Sequence, residues 1–215
     1  METPLLWHIP LSHYNEKVRW ALDYKGITHR RRVLGANYLI RAWRATGQGK
    51  LPVLWLDGQA IVDSTRIIAA IEARYPDPPL YPRDAAARQR ALAIEDDLDE
   101  TLGPSLRAAL VTPLFRSDPD IALRVLTTGM PENAYRTLRP LIRVFPLYYR
   151  FRHKISEANL ERDHAVVAAA LDRIEQERQG RAYLVGEAFT VADLTAAALL
   201  GPFLQPPELQ YPLQV

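Results

Sequence analysis

Five carboxylates crowd one short stretch of the chain: Glu95, Asp96, Asp97, Asp99 and Glu100. Such a group could hold a metal ion or share protons. Its helical spacing, with no histidine beside it, points instead to a solvated or ion-paired face. A second charged group is basic. Arg136, Arg139, Arg143, Arg150 and Lys154 fall on one helical face, with Leu138, Leu141, Ile142, Phe145, Tyr148 and Tyr149 on the other. That pattern could touch a membrane or nucleic acid, but a single stripe reads more simply as a solvated arginine face over a core-facing helix. Arg152 lies on the apolar side, placed to pair inside the domain or look into a cleft lined by the aromatics. The chain has no cysteine, which excludes a disulfide framework and any chemistry through a thiol of its own. No His/Glu ligand cluster, phosphate-cradling glycine loop or nucleophile elbow is present either, so no metal is expected.

Three further spacings are local signals. Leu51-Pro52 heads an apolar strand, where a proline cannot donate to a ladder and must sit at an edge or strand start, trans or cis. Ser64 stands where a helix N-cap belongs. Thr190-Val-Ala-Asp193 reads as a capping box, with Phe189 and Leu194 as its hydrophobic staple.

The elements that must carry these residues alternate over the first eighty positions. Strands fit Leu5–Ile9, Thr28–Leu34, Pro52–Leu56 and Ala60–Val62, the last two joined by the tight Asp57-Gly58 turn. Helices fit Asn15–Lys25 (stopped by Gly26), Tyr38–Thr46 and Ser64–Tyr75, giving β-α-β-α-β-β-α. Residues 76–83 hold four prolines and read as a linker between domains 1–80 and 84–215. Beyond it everything looks helical: Ala85–Leu102, ended or kinked by Gly103-Pro104, then stretches near 119–127, 132–155, 157–179 and 191–201. Pro140 and Pro146 should bend or split the third of these.

At 215 residues, 48% hydrophobic and 24% charged, with a net charge of +2 at pH 7, this is ordinary globular composition. It points to no nucleic-acid partner. The N-terminus lacks a basic segment before an apolar core, and the longest apolar run, Leu194 to Leu204, is broken by Pro202. A membrane helix needs about 20 apolar residues, so no transmembrane segment is expected and a cytoplasmic location is.

Taken together, three stretches resemble the cytosolic glutathione transferase family. They are Ser12-His13-Tyr14-Asn15-Glu16-Lys17-Val18-Arg19; Gly49-Lys50-Leu51-Pro52-Val53-Leu54 followed by Asp63-Ser64; and Phe189-Thr-Val-Ala-Asp193. The resemblance covers most of the chain. It implies an α+β thioredoxin-like N-terminal domain followed by an all-α helical-bundle C-terminal domain with an apolar substrate pocket.

The same resemblance implies a serine-type site in which Ser12 holds the glutathione thiolate, with Asn15 and Tyr14 as alternative donors. Ser64 would bind the γ-glutamyl carboxylate and Asp63 the ammonium. Leu51, before a cis Pro52, would meet the cysteinyl backbone, and Lys50 the glycyl carboxylate. A helix start suits these anions, because its free N–H groups carry partial positive charge. Trp7 and His8 read as structural. The implied activity is attack of glutathione on an apolar electrophile by a homodimer, with Arg66 and Arg74 facing the partner's acidic 95–100 segment. The alternatives are a glutathione-dependent lyase, isomerase or dehalogenase, or a non-catalytic module that binds ligands or proteins. After the capping box, only about two helical turns and a tail, Pro206 to Pro212, are expected, where the family often has further helix closing the cleft.

Overall fold

A computed structural model describes residues 2–131 and 133–207. Its N-terminal region runs β1 (Leu5–His8), α1 (His13–Tyr24), β2 (Arg30–Val33), α2 (Tyr38–Thr46), β3 (Val53–Leu56), β4 (Gln59–Val62) and α3 (Ser64–Arg74). The strands form one mixed sheet in the order β2-β1-β3-β4, with β1–β2 parallel and the other pairs antiparallel. The β3–β4 hairpin turns through Asp57 and Gly58, both at positive φ, which Asp and Gly tolerate and most residues do not. Leu6, Val18, Leu22, Leu54, Ile67 and Ile71 bury the side of the sheet covered by α1 and α3.

Helix α1 starts two residues before the expected position, with Ser12 as N-cap, and ends where expected. Gly26 takes φ +61, its amide returns to Asp23 O at 2.9 Å, and Ile27 N returns to Leu22 O at 2.9 Å, closing the last turn. The proline-rich connection is pinned down. Lys25 Nζ donates to Tyr75 O at 2.8 Å and Pro78 O at 2.7 Å while pairing with Glu72 at 2.6 Å, and Leu80 is fully buried.

A helical domain follows: α4 (Ala85–Asp97), a π-helical turn (Leu98–Leu102), α5 (Gly103–Ser117), α6 (Pro119–Thr127), α7 (Asn133–Leu138), α8 (Phe145–His153), α9 (Leu160–Arg178) and α10 (Val191–Leu204). Gly103-Pro104 does not end the first of these. The π turn feeds directly into α5, and Pro104 sits in that helix's first turn, where no intrahelical N–H is needed. The predicted 132–155 helix is split at both prolines, with a short 3-10 turn at Arg139–Leu141 between α7 and α8. Its arginines therefore do not share one continuous face. Arg150 pairs with Glu157 at 3.3 Å, while Arg139 lies 3.8 Å from Asp120.

The capping box forms as expected. The Asp193 carboxylate accepts from the Thr190 amide and hydroxyl, both at 2.8 Å, and also from Leu184 N at 2.7 Å. Helix α10 runs three residues past the expected end at 201, because Pro202 is accommodated inside it. It buries Val191, Ala192, Leu194 and Leu199 and packs along α1. The expected tail from residue 208 lies outside the described residues. Among those described, no helix is long and apolar enough to cross a membrane.

Candidate active site

Sheet register gathers the loops of the first two motif stretches at one end of the sheet. Trp7 opposes Val53 and Val53 opposes Val62, so the end of β1, the start of β3 and the end of β4 lie side by side. The segment reaching Ser12, the Leu51-Pro52 step and Asp63-Ser64 therefore leave the sheet together. The Leu51–Pro52 bond is cis.

Ser12 has extended backbone (φ −87, ψ 115), and its carbonyl accepts from Asn15 N at 2.9 Å and Glu16 N at 3.0 Å. Its side chain is half-buried and makes no capping bond, which leaves the hydroxyl beside the amide-rich start of α1. Asp63, not Ser64, is the N-cap of α3: it takes φ +78 and its carboxylate accepts from Arg66 N at 3.2 Å. Ser64 is the first helical residue and is buried, Asp63 is exposed, and Lys50 is exposed on its loop.

The two alternative donors differ in what they touch. Tyr14 turns away from that end of the sheet, and its hydroxyl donates to Asp99 O in the π turn at 2.7 Å. Burial pushes its phenol well above the usual range, so it is spent as a link between the two halves of the chain. Asn15 is buried, and neither side-chain amide atom finds a partner. Trp7 packs on Trp55 at 5.6 Å under Arg41, in keeping with a structural role.

Three of the five clustered carboxylates, Glu95, Asp97 and Asp99, are ion-paired, while Asp96 and Glu100 are exposed. Lys17 Nζ, fully buried, meets Glu95 Oε1 at 2.8 Å and Asp99 Oδ2 at 2.6 Å, and Thr65 also donates to Asp99 at 2.9 Å. Asp97 is held by Arg173 at 2.5 Å. Burial pushes the Glu95 carboxyl up while Lys17 pulls it down, with a net rise. No group of described residues could hold a metal ion.

Sequence reasoning missed the helical-domain residues that pack against the start of α1. Gly103 packs so tightly on His13 and Tyr14 that an added Cβ would run into the Tyr14 hydroxyl. One turn later on α5, the Arg107 guanidinium lies 5.6 Å from the Tyr14 ring centre, and its Nη1 is 3.3 Å from His153 Nδ1. The Tyr149 ring lies tilted 4.4 Å from His153, and Phe115 packs 5.6 Å from Tyr149. Burial and the Arg107 charge hold His13 well below the ordinary imidazole range and lower His153 to about 4, so both rings are neutral at pH 7. Arg152 reaches from α8 to Gly49 O at 3.3 Å, beside Lys50. Only the four-residue spacing of Gly103 and Arg107 hinted that these two belong together.

Two family models match the sequence. The one described as glutathione S-transferase, N-terminal domain, covers residues 6–79, and the one described as glutathione S-transferase, C-terminal domain, covers residues 157–212. No curated protein matches by sequence. Among solved structures, the beta-etherase LigF of Sphingobium sp. superposes with a TM-score of 0.70 at 18% identity, covering 96% of this chain and 85% of that one. A glutathione S-transferase from Methylobacillus flagellatus, solved with glutathione bound, gives 0.67 at 22%, covering 94% and 84%. Another from Methylobacterium radiotolerans, in complex with glutathione sulfonate, gives 0.65 at 23%, covering 96% and 83%. At these identities the structural likeness concerns the fold.

Proposed function

The chain belongs to the glutathione S-transferase family, whose two domain models together match more than half of it, and from this we propose that it is a cytoplasmic enzyme that activates glutathione. In this reading, domain 1–80 binds the tripeptide, domain 84–215 binds the electrophile, and 76–83 joins them. The observation that carries the reading is the sheet register, which brings Ser12, Leu51-Pro52 and Asp63-Ser64 out at one end of the sheet. Ser64 and the first amides of α3 take the γ-glutamyl carboxylate. Asp63 takes the ammonium with the carboxylate oxygen that does not cap α3. Leu51 pairs with the cysteinyl backbone as an added strand would, and exposed Lys50 meets the glycyl carboxylate.

The chemistry needs no covalent nucleophile from the protein. The Ser12 hydroxyl and the start of α1 favour ionised sulfur, lowering the thiol from about 8.5 toward neutrality. The thiol proton leaves to solvent. The thiolate then attacks the electrophilic carbon, forming the C–S bond as the leaving group departs with the electrons of its own bond.

Calorimetric titration tests this. Glutathione is expected to bind with proton release near neutral pH, read as heat that changes with buffer ionisation enthalpy, whereas S-methylglutathione should bind without it. Binding of both with no proton release would leave the ligand-binding module as the better account. Binding of neither would reject the site.

We also propose the two-fold pairing usual for such domains. Within the chain Arg74 pairs with Asp57 at 2.9 Å, and Glu95 and Asp99 pair with Lys17. Exposed Arg66, Asp96 and Glu100 remain as the charges available to a partner. Light scattering should give twice the 24.4 kDa chain mass at micromolar concentration, and a monomer there would refute pairing.

A further inference from the structure

We propose that Arg107 is an anion receptor in the cleft between the two halves of the chain, selecting aromatic second substrates that carry a carboxylate or sulfonate. The proposal deepens the glutathione reading above and rests on it for the identity of the first substrate.

Charge balance is the starting point. The buried cations among the described residues have carboxylates. Lys17 has Glu95 and Asp99, Arg19 has Glu16 and Asp23, and Lys25 has Glu72. Arg107 is half-buried, and among the described residues it meets a histidine nitrogen and both the ring and the hydroxyl of Tyr14 but no carboxylate. Neither His13 nor His153 supplies a counter-charge, since an imidazole is either neutral or cationic. A guanidinium drawn partly out of water without a counter-charge is costly, and a ligand anion would remove that cost.

Geometry supplies the rest of the receptor. Gly103, with no side chain, lets α5 close on His13 and Tyr14, which sets Arg107 one turn along the same face. Ser12 immediately precedes those two residues as the N-cap of α1, so Arg107 packs on the helical turn that follows the proposed thiol donor. Phe115, Phe145 and Tyr149 form a cluster beyond His153, with edge contacts at 5.6 and 6.1 Å from Phe115. An aromatic ring has partners in that cluster, while its anionic substituent meets the planar fork of Arg107.

The test is calorimetric titration of the full chain with para-nitrobenzoate and its neutral isostere para-nitrobenzamide, alone and with saturating S-methylglutathione. The benzoate is expected to bind the wild type about 10- to 100-fold tighter, the range of a charged hydrogen bond. Arg107→Leu should abolish that preference, and Arg107→Lys should keep part of it as a point charge. Equal binding of the two ligands by the wild type overturns the proposal, as does a preference that survives in Arg107→Leu. An equal weakening of both ligands in the variants makes Arg107 a brace between helices, which also overturns it. The glutathione reading is scored separately. A benzoate preference without any glutathione binding keeps the receptor and rejects that reading, and glutathione binding without the preference does the reverse.

Discussion

Ser12→Ala is expected to lower kcat/KM for conjugation to an aryl halide by about 10- to 1000-fold, because a lost donor to a developing anion costs up to ~4 kcal/mol. Glutathione affinity should change far less, since Ser64, Leu51 and Lys50 hold the rest of the tripeptide. The hydroxyl makes no capping bond to α1, so the substitution removes little from the fold. Asn15→Ala separates Asn15 from Ser12 as the candidate, because that amide is buried with no partner on either atom. If it abolishes turnover while Ser12→Ala does little, the amide holds the thiolate and the assignment to Ser12 is wrong. The Tyr14 hydroxyl donates to Asp99 O. The chain has no cysteine to form a mixed disulfide with glutathione, so cysteine-dependent thiol transfer should be absent throughout.

The second large effect is on stability. Lys17→Met should cost about 3–5 kcal/mol in urea denaturation, the usual range when one partner of a buried ion pair is removed. Lys17 and Glu95 are both fully buried, and Asp99 nearly so, which leaves little water to screen the carboxylates once the ammonium is gone. Adding Glu95→Gln and Asp99→Asn should recover much of the loss, because the buried charges then disappear together. A loss under about 1 kcal/mol for Lys17→Met alone would mean that the network is not the brace described. The bridge ties α1 to the π turn, so the start of α1, and Ser12 with it, depends on this brace for its position.

Much of the fold was legible because its signals act within a few residues. Gly26 ends α1, Asp57-Gly58 turns the hairpin, and Thr190 with Asp193 starts α10, each satisfying backbone groups a turn or less away. Pro140 and Pro146 broke the 132–155 helix for equally local reasons. The cap of α3 was misplaced by one residue, since Asp63 adopts a positive φ that its side-chain type permits but does not announce.

The order of the first seven elements, the loops that carry Ser12, Pro52 and Ser64, and the absence of a protein thiol were determined by the sequence itself, whereas helix α5 was not read from it. What Lys17, Tyr14 and Arg107 do was decided only by the tertiary structure. Lys17 finds Glu95 seventy-eight positions away, Tyr14 finds Asp99 eighty-five away, and Arg107 finds His153 forty-six away. A side chain's charge and reach are written in its type, but its partner depends on which helix faces are buried against each other, and that is set by the packing of the whole core.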